Sequence, residues 1–125
     1  MSRLFLVAGP LLGGLAVAAG AFGAHGLKSL LEASGQAGNW ETAARYALGH
    51  ALAIVVAGLW ATLRPSRLVA AAGWCFLVGT AIFSGCLFAL ALSGVRVLGA
   101  VVPVGGLLLI AGWALLAVAG WRDGR

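Results

Sequence analysis

Acidic side chains are nearly missing from these 125 residues: Glu32, Glu41 and Asp123 are the only three. Paired-carboxylate acid–base chemistry and carboxylate-rich metal sites need such groups clustered, and here they are scattered. Charged residues of both signs make up 9% of the chain, against about a quarter in an ordinary soluble domain. So little charge cannot cover a surface facing water, and the surface must face lipid. Cysteine is scarce too. Cys75 and Cys86 sit in apolar runs with neither a disulfide framework nor a metal-ligand spacing. On one helix they lie roughly 16 Å apart, too far to bridge. No spacing pairs a nucleophile with a base. The chain is therefore expected not to be an enzyme and to carry no cofactor and no metal.

What is present is apolar: 62% hydrophobic residues and a mean hydropathy of +1.07. About 20 helical residues cross a hydrocarbon core of about 30 Å. Four stretches meet that length, residues 4–24, 43–63, 68–92 and 97–120. They predict an all-α fold, a four-transmembrane-helix bundle forming a single integral membrane domain over 1–125. The net charge of +5 comes from single basic residues set between apolar spans. That pattern fits membrane anchoring and no nucleic-acid partner.

In the first span Arg3 precedes the apolar run, which also resembles a signal peptide but exceeds the usual h-region of about 7–15 residues. Pro10 predicts a kink. Gly14, Ala18, Ala21 and His25 share one face, predicting a small-residue groove that ends in a histidine. Between the first two spans, Leu27, Leu30 and Leu31 share one side of a short segment. It reads either as an amphipathic helix at the headgroups or as a solvated loop, with a turn at Gly35–Gly38.

For the second span, Asn39 or Thr42 is available as N-cap. Tyr46, Ala53, Ala57 and Ala61 lie within about 60° of His50 on the helical wheel. Leu48, Leu52, Val55, Val56, Leu59 and Leu63 lie opposite, so His50 should point inward and the leucine face toward lipid. Glu41 and Arg45 form an i,i+4 pair on the lipid side, with Trp40 as an interfacial anchor. In the third span, Gly73, Thr80, Ser84 and Ala91 form one stripe and Cys75, Gly79, Ile82 and Cys86 another. Thr80 and Ser84 are candidate intramembrane hydrogen-bonding residues. Bonds to carbonyls one turn back are the first expectation, and interhelix bonds the second. In the fourth span Pro103, Gly105 and Gly106 form a candidate helix break of the kind that marks ion or substrate sites in transporters. The other reading is a kink or the first turn of a shorter helix. Gly105, Gly112 and Ala119 recur every seven residues, as in a packing seam.

Four spans place both termini and the turn Arg64-Pro65-Ser66-Arg67 on one side. That side carries Arg3, Arg64, Arg67, Arg122 and Arg125, and the other carries Lys28, Arg45 and Arg96. The positive-inside rule then predicts cytoplasmic termini. His25, Tyr46 and His50 fall toward the opposite side as a candidate polar patch. For His50 three roles stand: a neutral structural clamp on a backbone carbonyl or Tyr46, a proton or ion pathway, or a ligand site. Paired-histidine haem ligation is disfavoured, because His50 lies about 10 Å into its span and His25 at the boundary.

The segments GAFGAHGL (Gly20–Leu27), TAARYALGHALAI (Thr42–Ile54), GTAIFSGCLFALALSGVRV (Gly79–Val97) and PVGGLLLIAGWAL (Pro103–Leu115) resemble domain-of-unknown-function family 423. Members of that family resemble in turn the small eukaryotic transmembrane protein 256. The resemblance covers nearly the whole chain in order and implies a multi-pass protein of the bacterial inner membrane, without implying an activity. It departs from the family pattern at Ala47, Cys86, Phe88 and Val102, where Gln, Ser, Tyr and Thr are frequent. His25, Tyr46, His50, Thr80, Ser84 and Arg96 match. The expected partners are the lipid bilayer and a second copy or another membrane protein. A packing, assembly or partner-binding role is the first functional expectation. A small-solute or proton-coupled transporter acting as an oligomer is the second.

Overall fold

The computed structural model describes residues 1–124, all helix and turn; Arg125, counted in the charge balance above, lies outside the described residues. The helices are α1 (Ser2–Ala24), α2 (Lys28–Ala33), α3 (Ala37–Leu63), α4 (Arg67–Ser93) and α5 (Val97–Asp123). The four long ones are each long and apolar enough to cross a membrane. A helix of 27 residues is about 40 Å long, so α3, α4 and α5 outreach a core of about 30 Å unless tilted.

The helix ends correct the predicted bounds. The second span begins at Ala37, six residues before Ala43, so Asn39 and Thr42 lie inside the helix and do not cap it. Asn39 instead donates to Gln36 Oε1 at 2.8 Å. Hydropathy marks where a chain enters lipid, whereas helical hydrogen bonding starts as soon as the backbone can propagate it. Residues 37–42, which include Asn39, Glu41 and Thr42, are helical outside the apolar run. Ser66 caps α4, its hydroxyl accepting from the Leu68 N–H at 3.2 Å. Gly94 ends α4 with φ +70°, a left-handed conformation that a Cβ would disfavour.

α3 and α4 pack against each other, α1 lies mainly on α3, and α5 mainly on α4. Phe5, Ile54, Val69 and Phe76 are fully buried at the shared centre. Lipid tails are as apolar as leucine, so burial alone does not hold such helices together; close packing and interhelix hydrogen bonds do. The predicted leucine face of the second span is exposed at Leu48, Leu52, Val56, Leu59 and Leu63, and half-buried at Val55. Residues 28–33 are helical, with Leu31 buried against Trp40 and Ala91. Leu30 points away and is exposed.

Two further expectations are corrected. The small-residue face of α1 that packs is not the predicted one: Gly14, Ala18, Ala21 and His25 are all exposed. Contact with α3 runs through Gly9, which meets Val55, through Gly13, which meets Ala51, and through Gly23, which meets Trp40. Both faces are rich in small residues, and only the partner's shape chooses between them. In α5, Pro103 lies inside one helix assigned without interruption from Val97 to Asp123, so Pro103, Gly105 and Gly106 do not break it. Gly105 is buried where a Cβ would stand 2.8 Å from the Gly79 carbonyl oxygen of α4, and Gly106 faces the Phe83 ring. These glycines serve close approach, and Gly105, Gly112 and Ala119 are all buried along the seam.

Candidate functional site: the His50 clamp

His50 is the fourteenth of the 27 residues of α3, about 20 Å from either end. The earlier start of α3 puts it at the helix centre, while its place about 10 Å into the apolar run that begins at Ala43 is unchanged. Its exposure is 8%, and among the described residues no other ionisable side chain falls in the buried class. Nδ1 lies 2.8 Å from the Tyr46 carbonyl oxygen, one turn back. Nε2 receives the Trp113 indole N–H from α5 at 3.1 Å. An indole can only donate, so Nε2 presents its lone pair and Nδ1 carries the proton. The imidazole is a neutral tautomer with both nitrogens engaged.

Rings close around it. Tyr46 stacks on His50 at 5.9 Å between centroids and 14° between planes, and leans on Phe83 of α4 at 4.8 Å. Phe76 of α4 meets Trp113 edge to face at 5.0 Å and lies 5.8 Å from His50. Edge-to-face geometry sets positive ring edges on negative faces. Gly112 leaves room for Phe76. A shallow recess of about 310 Å³, lined by Tyr46, His50, Phe83, Gly106 and Trp113 among others, opens beside the cluster.

The structure brings together Tyr46 and His50, but not His25. Gly13 of α1 faces Ala51, at the level of His50. His25 lies twelve residues beyond Gly13, about 18 Å along the helix, and is exposed. Tyr46 is 44% exposed, rather than pointing wholly inward. Ser84 does not bond one turn back: its hydroxyl donates across to the Ala43 carbonyl of α3 at 2.8 Å. Ala43 is fully buried, and with only a methyl between the backbones the hydroxyl can reach. Thr80 Oγ1 has no hydrogen-bond partner among the described residues. Cys75 and Cys86 are free and half-buried, and no three His, Cys, Asp or Glu side chains of the described residues converge as metal ligands.

The tryptophans are what sequence reasoning missed. Trp40 is buried, not an interfacial anchor; its indole donates to the Ala19 carbonyl of α1 at 2.7 Å and stands edge-on to Phe88 at 4.6 Å. Trp60 of α3 donates to Asp123 Oδ2 of α5 at 2.8 Å, and Arg64 donates to the Asp123 carbonyl at 2.9 Å. Trp74 of α4 donates to Met1 Sδ at 3.2 Å. With Trp113, three indoles tie one helix to another, and Trp74 ties α4 to the residue just before α1. An N–H inside an apolar run needs an acceptor, and that requirement was the available signal. The Glu41–Arg45 pair forms at 2.7 Å and is exposed, as the wheel predicts.

The family described as "Protein of unknown function (DUF423)" matches residues 19–106, a stretch that holds Trp40, Tyr46, His50, Thr80 and Ser84. The chain belongs to this family. Similar proteins are a UPF0382 membrane protein of Staphylococcus haemolyticus, 40% identical over 96% of this chain and 97% of its own length, and one of Staphylococcus epidermidis, 43% identical over 94% of each. A third, UPF0382 membrane protein YwdK of Bacillus subtilis, is 37% identical over 94% of this chain and 95% of its own length. No solved structure matches. These relatives are membrane proteins by name, and four helices long and apolar enough to cross a membrane account for nearly the whole length of this chain, which is a membrane protein as well.

Proposed function

We propose that this DUF423 member is a non-catalytic membrane protein that packs with or assembles partners, with both termini in the cytoplasm of a bacterial inner membrane. One observation carries the reading: His50, the buried ionisable group at the helix centre, spends Nδ1 on the Tyr46 carbonyl and Nε2 on the Trp113 indole. A proton carrier needs a ring nitrogen that can exchange with a relay, and a second proton on Nε2 would oppose the indole N–H. A metal ligand needs the same lone pair. The clamp therefore opposes a proton-coupled transporter, whose exchange chemistry calls for an embedded acid that this chain lacks. In proteoliposomes, His50→Ala is expected to lower thermal stability while proton and cation fluxes stay at those of empty vesicles for both proteins. A wild-type flux that His50→Ala abolishes would reverse the assignment.

A further inference from the structure

The side of the bundle bearing α1 holds a second feature, sharing no lining residue with the recess beside His50. A groove of about 340 Å³ runs between α1 and α4 with α3 as its floor; Leu15, Ala16, Ala47, Thr80, Ser84 and Gly85 are among its lining residues. The Trp40–Phe88 ring pair also lines it. Small side chains make the space, and nearly all of the lining is apolar. Two hydroxyls interrupt it, one helical turn apart on one face of α4.

Their states differ. Ser84 has donated its proton to the Ala43 carbonyl and keeps acceptor capacity. Thr80 is 1% exposed, and its hydroxyl has no partner among the described residues. Even the usual bond to the carbonyl one turn back is unmade. A hydroxyl left unbonded in an apolar interior is costly, so its presence in the groove wall calls for a partner. A trapped water would find these two hydroxyls and little else, short of the roughly three bonds that buried waters make.

Depth narrows the partner. Thr80 is the middle residue of α4, about 20 Å from each end. Glycerolipid ester groups lie at the interface, about 15 Å from the midplane of a core about 30 Å thick. They do not reach Thr80, and no backbone carbonyl of the described residues, on its own helix or a neighbouring one, accepts from its hydroxyl. We propose that the groove binds a lipid-soluble molecule with an apolar body and one carbonyl or hydroxyl oxygen, which accepts from Thr80 at the bilayer midplane. This goes beyond the packing role above and does not depend on it.

The test uses the full chain in phosphatidylcholine nanodiscs with two probes of matched length, 2-tridecanone and tridecane, and native mass spectrometry to count bound probe. Wild-type protein is expected to retain the ketone about threefold to tenfold over the alkane, the range that one net hydrogen bond supplies. Thr80→Val keeps the shape and removes the hydroxyl. It should hold both probes equally and melt no lower than wild type. Gly85→Leu should lose both probes while folding normally, because a Cβ there meets nothing within 4 Å. Equal retention of ketone and alkane by wild type would mean a slot for any acyl chain and would overturn the proposal. So would a ketone preference that survives Thr80→Val, or probe binding untouched by Gly85→Leu.

Discussion

The indole of Trp113 decides what His50 can be. In water an imidazole nitrogen is open to exchange; here Nε2 faces a donor that cannot change its role. Trp113→Phe keeps a ring against Phe76 but removes the N–H. It is expected to destabilise by about 0.6 kcal/mol and at most about 1.7, the span measured for interhelix hydrogen bonds in a membrane protein. A double-mutant cycle with His50→Ala should return coupling of that size by thermal or denaturant unfolding in detergent. Coupling near zero would mean that the bond does not form. Ser84→Ala should cost a comparable amount, since it strips the bond to Ala43 and leaves that carbonyl otherwise unchanged.

At the scale of the helix, association depends on how near two backbones can come. Gly79 and Gly105 face each other across α4 and α5: a Cβ on Gly79 would lie 3.1 Å from the Gly105 carbonyl oxygen. The obstacle is backbone, which cannot rotate aside. Gly105→Ala is therefore expected to push α5 off α4 and destabilise by about 1–3 kcal/mol, the usual cost of overpacking. Gly99→Ala in the same helix, where the nearest atom is a Leu90 methyl at 3.6 Å, should change stability by less than about 0.5 kcal/mol. Thermal unfolding of the two variants side by side checks the contrast. Near the α2 end the same logic joins α1 to α3, because Gly23 leaves the space that the Trp40 indole fills.

For the whole molecule, the arginine balance and the even number of spans set the expected orientation. A phosphatase that is active only outside the cytoplasm, fused after Arg125, should be silent. The same reporter placed in the connector around Gly35 should be active. The reverse pattern would invert the topology without changing the packing. At the terminal end, Trp60 and Arg64 hold Asp123 of the last helix. Asp123→Asn should loosen that end, seen as faster amide exchange near the C-terminus with the His50 region unaffected.

How much of this was legible follows from what each signal measures. Four long apolar runs, the turn at 64–67, the leucine face of α3 and the seven-residue seam of α5 are one-dimensional facts. Length against a hydrocarbon core of about 30 Å and a period of 3.6 residues suffice to read them. The sequence by itself thus determined a four-span membrane bundle and which face of α3 is greasy. Which small face of α1 packs, where the Ser84 hydroxyl goes, that Pro103 is absorbed without a break, and that Trp113 closes over His50 were decided only by the tertiary structure. Each depends on the shape and polar atoms of a different helix, distant in sequence. In a chain built mostly of alanine, leucine, valine and glycine, many faces look alike until a partner is laid against one of them.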